Sequence, residues 1–232
     1  MIKGMIFDLD NTLINFWEFK QKSVLSAAKV IKDSKLLNKN LEEIFDGIFS
    51  IYYSKGTDYQ YAINDYLSQF KISSKEHKKV LNLAVQAYKK TKENILHPYL
   101  GITDMLEELK NDGYTLAVLS DATLEHVHNR LKKCNLFHYF DFIGTFDQTN
   151  AFKPSPKPFL KILSEMKLQP KEVGMVGDNP SRDIKGAKAL KLTTFFALWG
   201  FVYGDDGTKA DFVLSSPSDL PRILKRLNSI NL

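Results

Sequence analysis

Two aspartates stand close together directly after a short apolar run near the start of the chain. Residues 5–7 are Met-Ile-Phe, Asp8 follows them, and Asp10 comes two positions after Asp8. The apolar run indicates a buried strand, and open α/β sheets bind ligands where such strands end. Two carboxylates this close repel each other unless a proton or a cation lies between them, which favours a hard divalent metal such as Mg²⁺. A tight turn is the alternative for this pair taken alone.

A second acidic pair follows another apolar run, residues 173–176. Asp178 falls in the predicted loop, where it can reach a metal held at the first strand. Asp183 is predicted one turn into the next helix, where it orients the metal or its ligands. Helix capping is the alternative for either carboxylate taken singly.

A hydroxyl and an ammonium group occur between the two acidic pairs. Ser120 and Asp121 end one predicted strand, and Lys153 follows a further apolar segment. A phosphoryl group in transfer spreads negative charge over its oxygens, which a hydroxyl, an ammonium and a metal stabilise. Taken alone, Ser120 is more typical of a helix cap and Lys153 of a surface residue.

These side chains need a scaffold that brings separated segments together, and the second part of the sequence predicts one. From about residue 100, β-rich runs alternate with stretches of helical period, which indicates an α/β fold with a parallel sheet covered by helices. The predicted strands after the first are 114–119, 142–145, 173–176, 194–198 and 212–214. The predicted helices are 105–110, 124–134, 159–166, 181–190 and 220–227. We expect the prolines at 154, 156 and 158 to delay the third of these helices until Phe159.

Residues 15–97 have a different character. They contain no proline and no convincing strand, and their apolar residues recur every three or four positions, which predicts helices. Their aromatic side chains, Tyr53 among them, are predicted to form the core of a small bundle. The expected organisation is therefore a core of residues 1–14 and 98–232, with a helical unit of residues 15–97 inserted after the first strand.

The charge distribution indicates which partners to expect. The net charge of +5 belongs entirely to residues 15–97, which hold 14 lysines and 9 acidic residues. A positive segment attracts anionic substrates, although lysines on solvated helix faces are the simpler interpretation. Only four arginines occur in the chain, which argues against a nucleic-acid partner.

The location follows from other features of the composition. The first apolar run is too short for a secretory signal, and no stretch approaches the roughly 18 apolar residues of a membrane span. The single cysteine excludes a thiolate zinc cluster and is compatible with a reducing compartment. The expectation is a cytoplasmic protein without a membrane partner, and a homodimer is left open.

The four signals together resemble the haloacid dehalogenase superfamily of phosphohydrolases, over essentially the whole chain. Residues 8–12, Asp-Leu-Asp-Asn-Thr, are similar to its first motif, Ser120 to its second and Lys153 to its third. Residues 177–178, Gly-Asp, with Asp183 are similar to its fourth. The resemblance implies a Rossmann-like core of five or more parallel strands and makes the inserted unit a helical cap.

The resemblance also implies a role for each residue. Asp8 is the expected nucleophile. Asp10 is the general acid, held off the metal through its carboxylate and bound to it through its carbonyl. Thr12 fixes Asp10, while Ser120 and Lys153 hold the phosphoryl oxygens. The predicted substrate-binding residues are Thr12, Ser120, Asp121 and Lys153, and the predicted metal residues are Asp8, Asp10, Asp178 and Asp183.

The expected function is Mg²⁺-dependent hydrolysis of a small phosphorylated metabolite through an aspartyl-phosphate. Asp121 departs from the commonest family pattern, in which an amide or a small residue follows the second-motif hydroxyl. A carboxylate there repels phosphate unless it points away or pairs with a lysine. A phosphosugar mutase stays open. A haloacid dehalogenase is disfavoured because that reaction needs neither the acid Asp10 nor a metal. A non-catalytic binding or regulatory protein on the same fold is the alternative from another class.

Overall fold

A computed structural model of the protein describes residues 1–56, 59–202 and 207–229. The chain divides into two compact units, one of residues 1–15 with 97–232 and one of residues 16–96. Each unit has its own cluster of buried apolar side chains. The first unit contains every residue to which the sequence assigns chemistry.

The first unit is built on a sheet of six strands with neighbours paired in parallel, in the order β3-β2-β1-β4-β5-β6. The predicted α/β fold class is therefore confirmed. β1 is central, and all of its residues are buried, as expected for a strand covered on both faces. The strands are β1 Gly4–Phe7, β2 Thr115–Leu119, β3 Phe142–Gly144, β4 Val173–Gly177, β5 Thr193–Ala197 and β6 Phe212–Leu214.

Helices connect these strands and pack on the sheet. Phe159, Ile162 and Leu163 of one helix share a buried cluster with residues of β1 and β2. The helices of this unit are α5 Ile102–Asn111, α6 Leu124–Lys133, α7 Phe146–Thr149, α8 Pro156–Met166, α9 Lys185–Ala189 and α10 Asp219–Ser229.

The start of α8 corrects one prediction. The helix begins at Pro156, three residues before the predicted Phe159. Proline is tolerated there because the N–H groups of a first helical turn have no partner within the helix. Ser155 caps this turn by accepting a hydrogen bond from the backbone N–H of Lys157.

The second unit consists of helices α1 Phe16–Asp33, α2 Leu41–Lys55, α3 Ala62–Leu67 and α4 Ser74–Ile95. Phe49, Tyr52 and Tyr66 lie in its buried core, as the aromatic pattern predicts. The same prediction is wrong for Tyr53, which is 72% exposed because it follows Tyr52 on α2 and points to a different face. No helix in the described part of the chain combines the length and apolar character that a bilayer crossing requires.

The two points where the first unit's chain is interrupted are hydrogen-bonded to each other. Ile14 forms an antiparallel bridge with Pro98. The backbone N–H of Asn15 donates to the carbonyl of His97 at 3.1 Å, and that of Tyr99 donates to the carbonyl of Leu13 at 3.1 Å. The segment from 16 to 96 therefore leaves and rejoins the first unit at a single place.

Candidate active site

The predicted site residues follow the carboxyl ends of neighbouring strands. Asp8 comes directly after β1, Ser120 directly after β2 and Asp178 directly after β4. These three strands are adjacent in the sheet and run in the same direction, so their ends lie at one edge. The sheet order explains how residues more than one hundred positions apart come together.

Three buried carboxylates form the centre of this site. One oxygen from each of Asp8, Asp178 and Asp183 lies within 4.8 Å of the others. Burial raises the pKa of Asp178 well above its ordinary value, and the nearby charges of Asp8 and Asp183 raise it further. Burial likewise raises the pKa of Asp183 to about 7, although the Lys153 ammonium opposes this shift.

Lys153 supplies the positive charge next to these carboxylates. Its buried ammonium group forms ion pairs with Oδ1 of Asp8 and, at 2.7 Å, with Oδ1 of Asp183. It also donates to the carbonyl of Leu119 at 3.0 Å. Burial opposes the charged form, but Asp183, Asp8 and Asp121 outweigh it and hold the pKa of Lys153 above its ordinary value.

The donor set fits a divalent cation. With all three carboxylates ionised, as metal binding requires, and one ammonium beside them, the centre of the site would carry a net charge of −2. Among the described residues, no hydrogen-bond donor reaches the buried Oδ2 of Asp178. Oxygen ligands of this kind suit Mg²⁺, and a metal there would neutralise the charge that burial makes costly.

Thr12 binds a different partner from the predicted one. The sequence assigned it to Asp10, but its Oγ1 donates to Oδ1 of Asp178 at 2.9 Å and accepts from the Asp178 backbone N–H at 3.1 Å. Its hydroxyl hydrogen is therefore committed to Asp178. The position of Thr12 in the loop after β1 explains the difference, because the loop after β4 is its direct neighbour.

The carboxylate of Asp10 is held by a residue that the sequence reasoning missed. Oδ2 of Asp10 accepts a hydrogen bond from Nη1 of Arg130, and the Arg130 side chain is 6% exposed. A sequence signal was available. Arg130 falls at the spacing of Val127 and Leu131, on the apolar face of a predicted helix, where a surface arginine does not belong.

Asp121 is paired on both oxygens. Oδ1 accepts from the backbone N–H of Lys153 at 2.8 Å, and Oδ2 lies 3.2 Å from Nη1 of Arg182. The repulsion of phosphate by this carboxylate, expected from the sequence, is therefore countered by Arg182. Beside it, Oγ of the buried Ser120 accepts from the backbone N–H of Ala122 at 3.1 Å, so its hydrogen stays available to another acceptor.

Comparison with known proteins identifies the family. Residues 5–197 match the model of the haloacid dehalogenase-like hydrolases. The chain is 31% identical over 228 residues to a glyceraldehyde 3-phosphate phosphatase of Methanocaldococcus jannaschii, an alignment that covers 98% of this chain and 99% of that protein. This chain belongs to the haloacid dehalogenase-like hydrolase family, and the resemblance seen in the sequence is confirmed.

Two further similarities agree with this family. A phosphoglycolate phosphatase of Aquifex aeolicus is 32% identical over 223 residues, which are 96% of this chain and 97% of that protein. The crystal structure of a HAD phosphatase from Thermococcus onnurineus superposes with a TM-score of 0.65 at 25% identity, covering 96% of this chain and 98% of that one. These three relatives are phosphatases by name, and each aligns with this chain over nearly its full length.

Proposed function

We propose that the protein is a Mg²⁺-dependent phosphomonoester hydrolase that acts on a small phosphorylated metabolite through an aspartyl-phosphate on Asp8. The observation that carries the proposal is the buried group of Asp8, Asp178 and Asp183 with the Lys153 ammonium between two of them. Such a site combines a nucleophile, a cation to hold phosphoryl oxygens and a place for a metal. The phosphatases among the relatives support the same reaction class.

In the first half of the reaction, a carboxylate oxygen of Asp8 forms a bond to phosphorus. The bond from phosphorus to the ester oxygen breaks, and Asp10 gives its proton to that oxygen as the alcohol leaves. Lys153 and the Ser120 hydroxyl hold the phosphoryl oxygens. Asp8, Asp178 and Asp183 would hold Mg²⁺, which would supply electrostatic stabilisation of the phosphoryl charge when bound.

In the second half, water attacks the phosphorus of the aspartyl-phosphate. Asp10, now ionised, takes a proton from that water, and the bond from phosphorus to Asp8 breaks. Inorganic phosphate leaves, and both aspartates return to their starting states. Asp10 thus gives and recovers one proton per turnover, so it must be held in one orientation for both steps.

The remaining residues support these groups. Thr12 holds Asp178 in place through two hydrogen bonds. Asp121 and Arg182 form an ion pair beside the Lys153 backbone, which positions the lysine and keeps the carboxylate compensated. The cap role of the inserted helices, the metal role of the Asp10 carbonyl, a homodimer and a cytoplasmic location stay predictions of the sequence.

Hydrolysis of 4-nitrophenyl phosphate, with Mg²⁺ or with excess EDTA, tests the proposal. We expect metal-dependent release of nitrophenol, and loss of it in Asp8→Asn because an amide is neither a good nucleophile nor a good metal ligand. Asp104→Asn, at an exposed position of α5, is the matched control and should retain the wild-type rate. Wild-type protein without metal-dependent turnover, or an active Asp8→Asn, would instead favour a non-catalytic binding protein or another mechanism.

The substrate class is tested with a panel of phosphorylated metabolites. Glyceraldehyde 3-phosphate and phosphoglycolate are included because relatives are named for them, together with sugar and nucleotide monophosphates. We expect one class of small monoester to give the highest kcat/KM. Transfer of phosphate between sugar positions without release of inorganic phosphate would identify a mutase.

A further inference from the structure

Arg130 is a buried arginine whose guanidinium reaches the candidate site from a helix that the mechanism does not otherwise use. It lies in α6, and its Nη1 donates to Oδ2 of Asp10, a residue 120 positions earlier in the chain. The Arg130 side chain is 6% exposed, and that of Asp10 is 23% exposed. The ion pair thus connects the interior side of α6 to the loop after β1.

Packing of α6 alone does not call for an arginine at this position. The other residues buried by this helix, Val127 and Leu131, are apolar and fully covered. Burial of a guanidinium is costly unless a partner compensates it, so an aliphatic residue would serve the helix better. Asp10, two residues from Asp8, is a partner that compensates this charge, so Arg130 is tied to the candidate site.

The geometry of the pair fixes how Asp10 can exchange a proton. Because Arg130 occupies Oδ2, a proton carried by Asp10 belongs on Oδ1. An arginine cannot take up this proton itself, since its guanidinium stays charged in proteins. The contact therefore restrains rotation of the carboxylate without competing for the proton that the reaction moves.

We propose that Arg130 is a positioning residue that orients the Asp10 carboxylate for proton transfer to the leaving oxygen. This inference rests on the proposed function, in which Asp10 is the acid. An orienting role of this kind differs from a purely structural role, in which Arg130 would only stabilise the fold. Loss of orientation should slow reactions that need an acid and spare those that do not.

Two substrates of similar size distinguish an orienting role of Arg130 from a purely structural one. The nitrophenolate released from 4-nitrophenyl phosphate leaves without a proton, whereas the alkoxide of benzyl phosphate requires one. The ratio of their kcat/KM values is the informative quantity, because kcat/KM reports the steps up to release of the alcohol and excludes hydrolysis of the aspartyl-phosphate. We expect Arg130→Met to lower kcat/KM for benzyl phosphate roughly 10- to 100-fold more than for 4-nitrophenyl phosphate.

A double-mutant cycle gives the second readout. If Arg130 acts through Asp10, Arg130→Met added to Asp10→Asn should cause no further loss on benzyl phosphate. Equal losses on both substrates, or additive losses in the double variant, would overturn the inference and leave Arg130 a structural residue. Arg222→Met removes an exposed arginine that pairs with Asp219 and should leave both substrates unaffected.

The same measurements keep failure of this inference apart from failure of the proposed function. If Asp10→Asn shows the selective loss on benzyl phosphate and the Arg130 variants do not, only the role of Arg130 is wrong. If Asp10→Asn shows no selectivity, the acid itself is misassigned. Should Arg130→Met fail to fold in thermal unfolding, Arg130→Lys replaces it, because lysine keeps the charge without the planar fork and should show a smaller selective loss.

Discussion

The single hydroxyl of Thr12 binds both the side chain and the backbone of Asp178. It donates to Oδ1 at 2.9 Å and accepts from the backbone N–H at 3.1 Å, although the two residues are 166 positions apart. This exchange joins the loop after β1 to the loop after β4. Since Oδ1 is occupied by Thr12 and no hydrogen-bond donor among the described residues reaches Oδ2, Oδ2 of Asp178 is the oxygen that stays available to a metal.

Replacement of Thr12 by valine should therefore weaken both the fold and metal binding. Valine keeps the branched shape but leaves a buried acceptor and a buried donor without partners, which costs about 1–3 kcal/mol in the free energy of unfolding. We expect Mg²⁺ affinity to fall roughly 10- to 100-fold. Urea unfolding and Mg²⁺ titration measure the two effects. Thr12→Ser, which retains the hydroxyl, should stay close to wild type, and equal behaviour of both variants would contradict this account.

Lys153→Met should abolish most activity and destabilise the metal-free protein. Removal of the ammonium leaves Asp8 and Asp183 buried without their counter-charge, a change that costs about 3–5 kcal/mol. Turnover of 4-nitrophenyl phosphate should fall roughly 10²- to 10³-fold. Lys157→Met, four residues away on an exposed position of α8, is the control for lysine loss. A stable and active Lys153→Met would show that the ion pairs have no role in catalysis.

Gly177→Ala tests whether Asp183 must lie where it does. A Cβ on Gly177 would collide with both Cβ and Oδ2 of Asp183, so the carboxylate has to move. We expect Mg²⁺ affinity to decrease roughly 10- to 100-fold, measured by calorimetric titration. Gly174→Ala, on the same strand, is the matched control, because its Cβ would collide with the side chains of Met5 and Phe195 and not with a carboxylate of the site. That variant should lose stability while its affinity for Mg²⁺ is retained.

The single cysteine gives a prediction on pH. Cys134 is buried, and this burial raises the pKa of its thiol to about 11. The thiolate, which is the reactive form, is then roughly one part in 1,000 at pH 8. Alkylation by iodoacetamide should be slow and should accelerate about tenfold per unit between pH 8 and 10. In urea the alkylation rate should rise to that of an ordinary thiol. If the alkylation rate of the folded protein instead reached a plateau near pH 9, the thiol would not be buried as described.

The positions of the strands were predictable because their signal is local. The predicted strand 212–214 has the same limits as β6. The predicted strand 173–176 differs from β4 only because β4 continues to Gly177. The start of α8 was not predicted correctly, since the ring of a proline blocks a helix interior but not a first turn. The short helix α7 was not predicted, because four residues are too few to show a helical repeat of apolar positions.

The partners of the site residues depend on tertiary structure and were harder to predict. A motif places Asp8 and Asp178 at strand ends, so their approach follows from the parallel sheet. Which residue Thr12 binds is decided by the order of the strands, and the sequence carries no direct mark of that order. The partner of Asp10 lies on a helix, and an arginine among apolar positions was the only sign of it.

The hydrogen bonds that close the gap between Asn15 and His97 make the inserted segment separable from the catalytic framework. The inserted segment forms a loop whose two ends meet at this point. Each doubling of the length of such a loop raises the free-energy cost of closing it by only about 0.6 kcal/mol. Evolution can therefore exchange, lengthen or shorten the insert while the chemistry of the first unit is inherited unchanged.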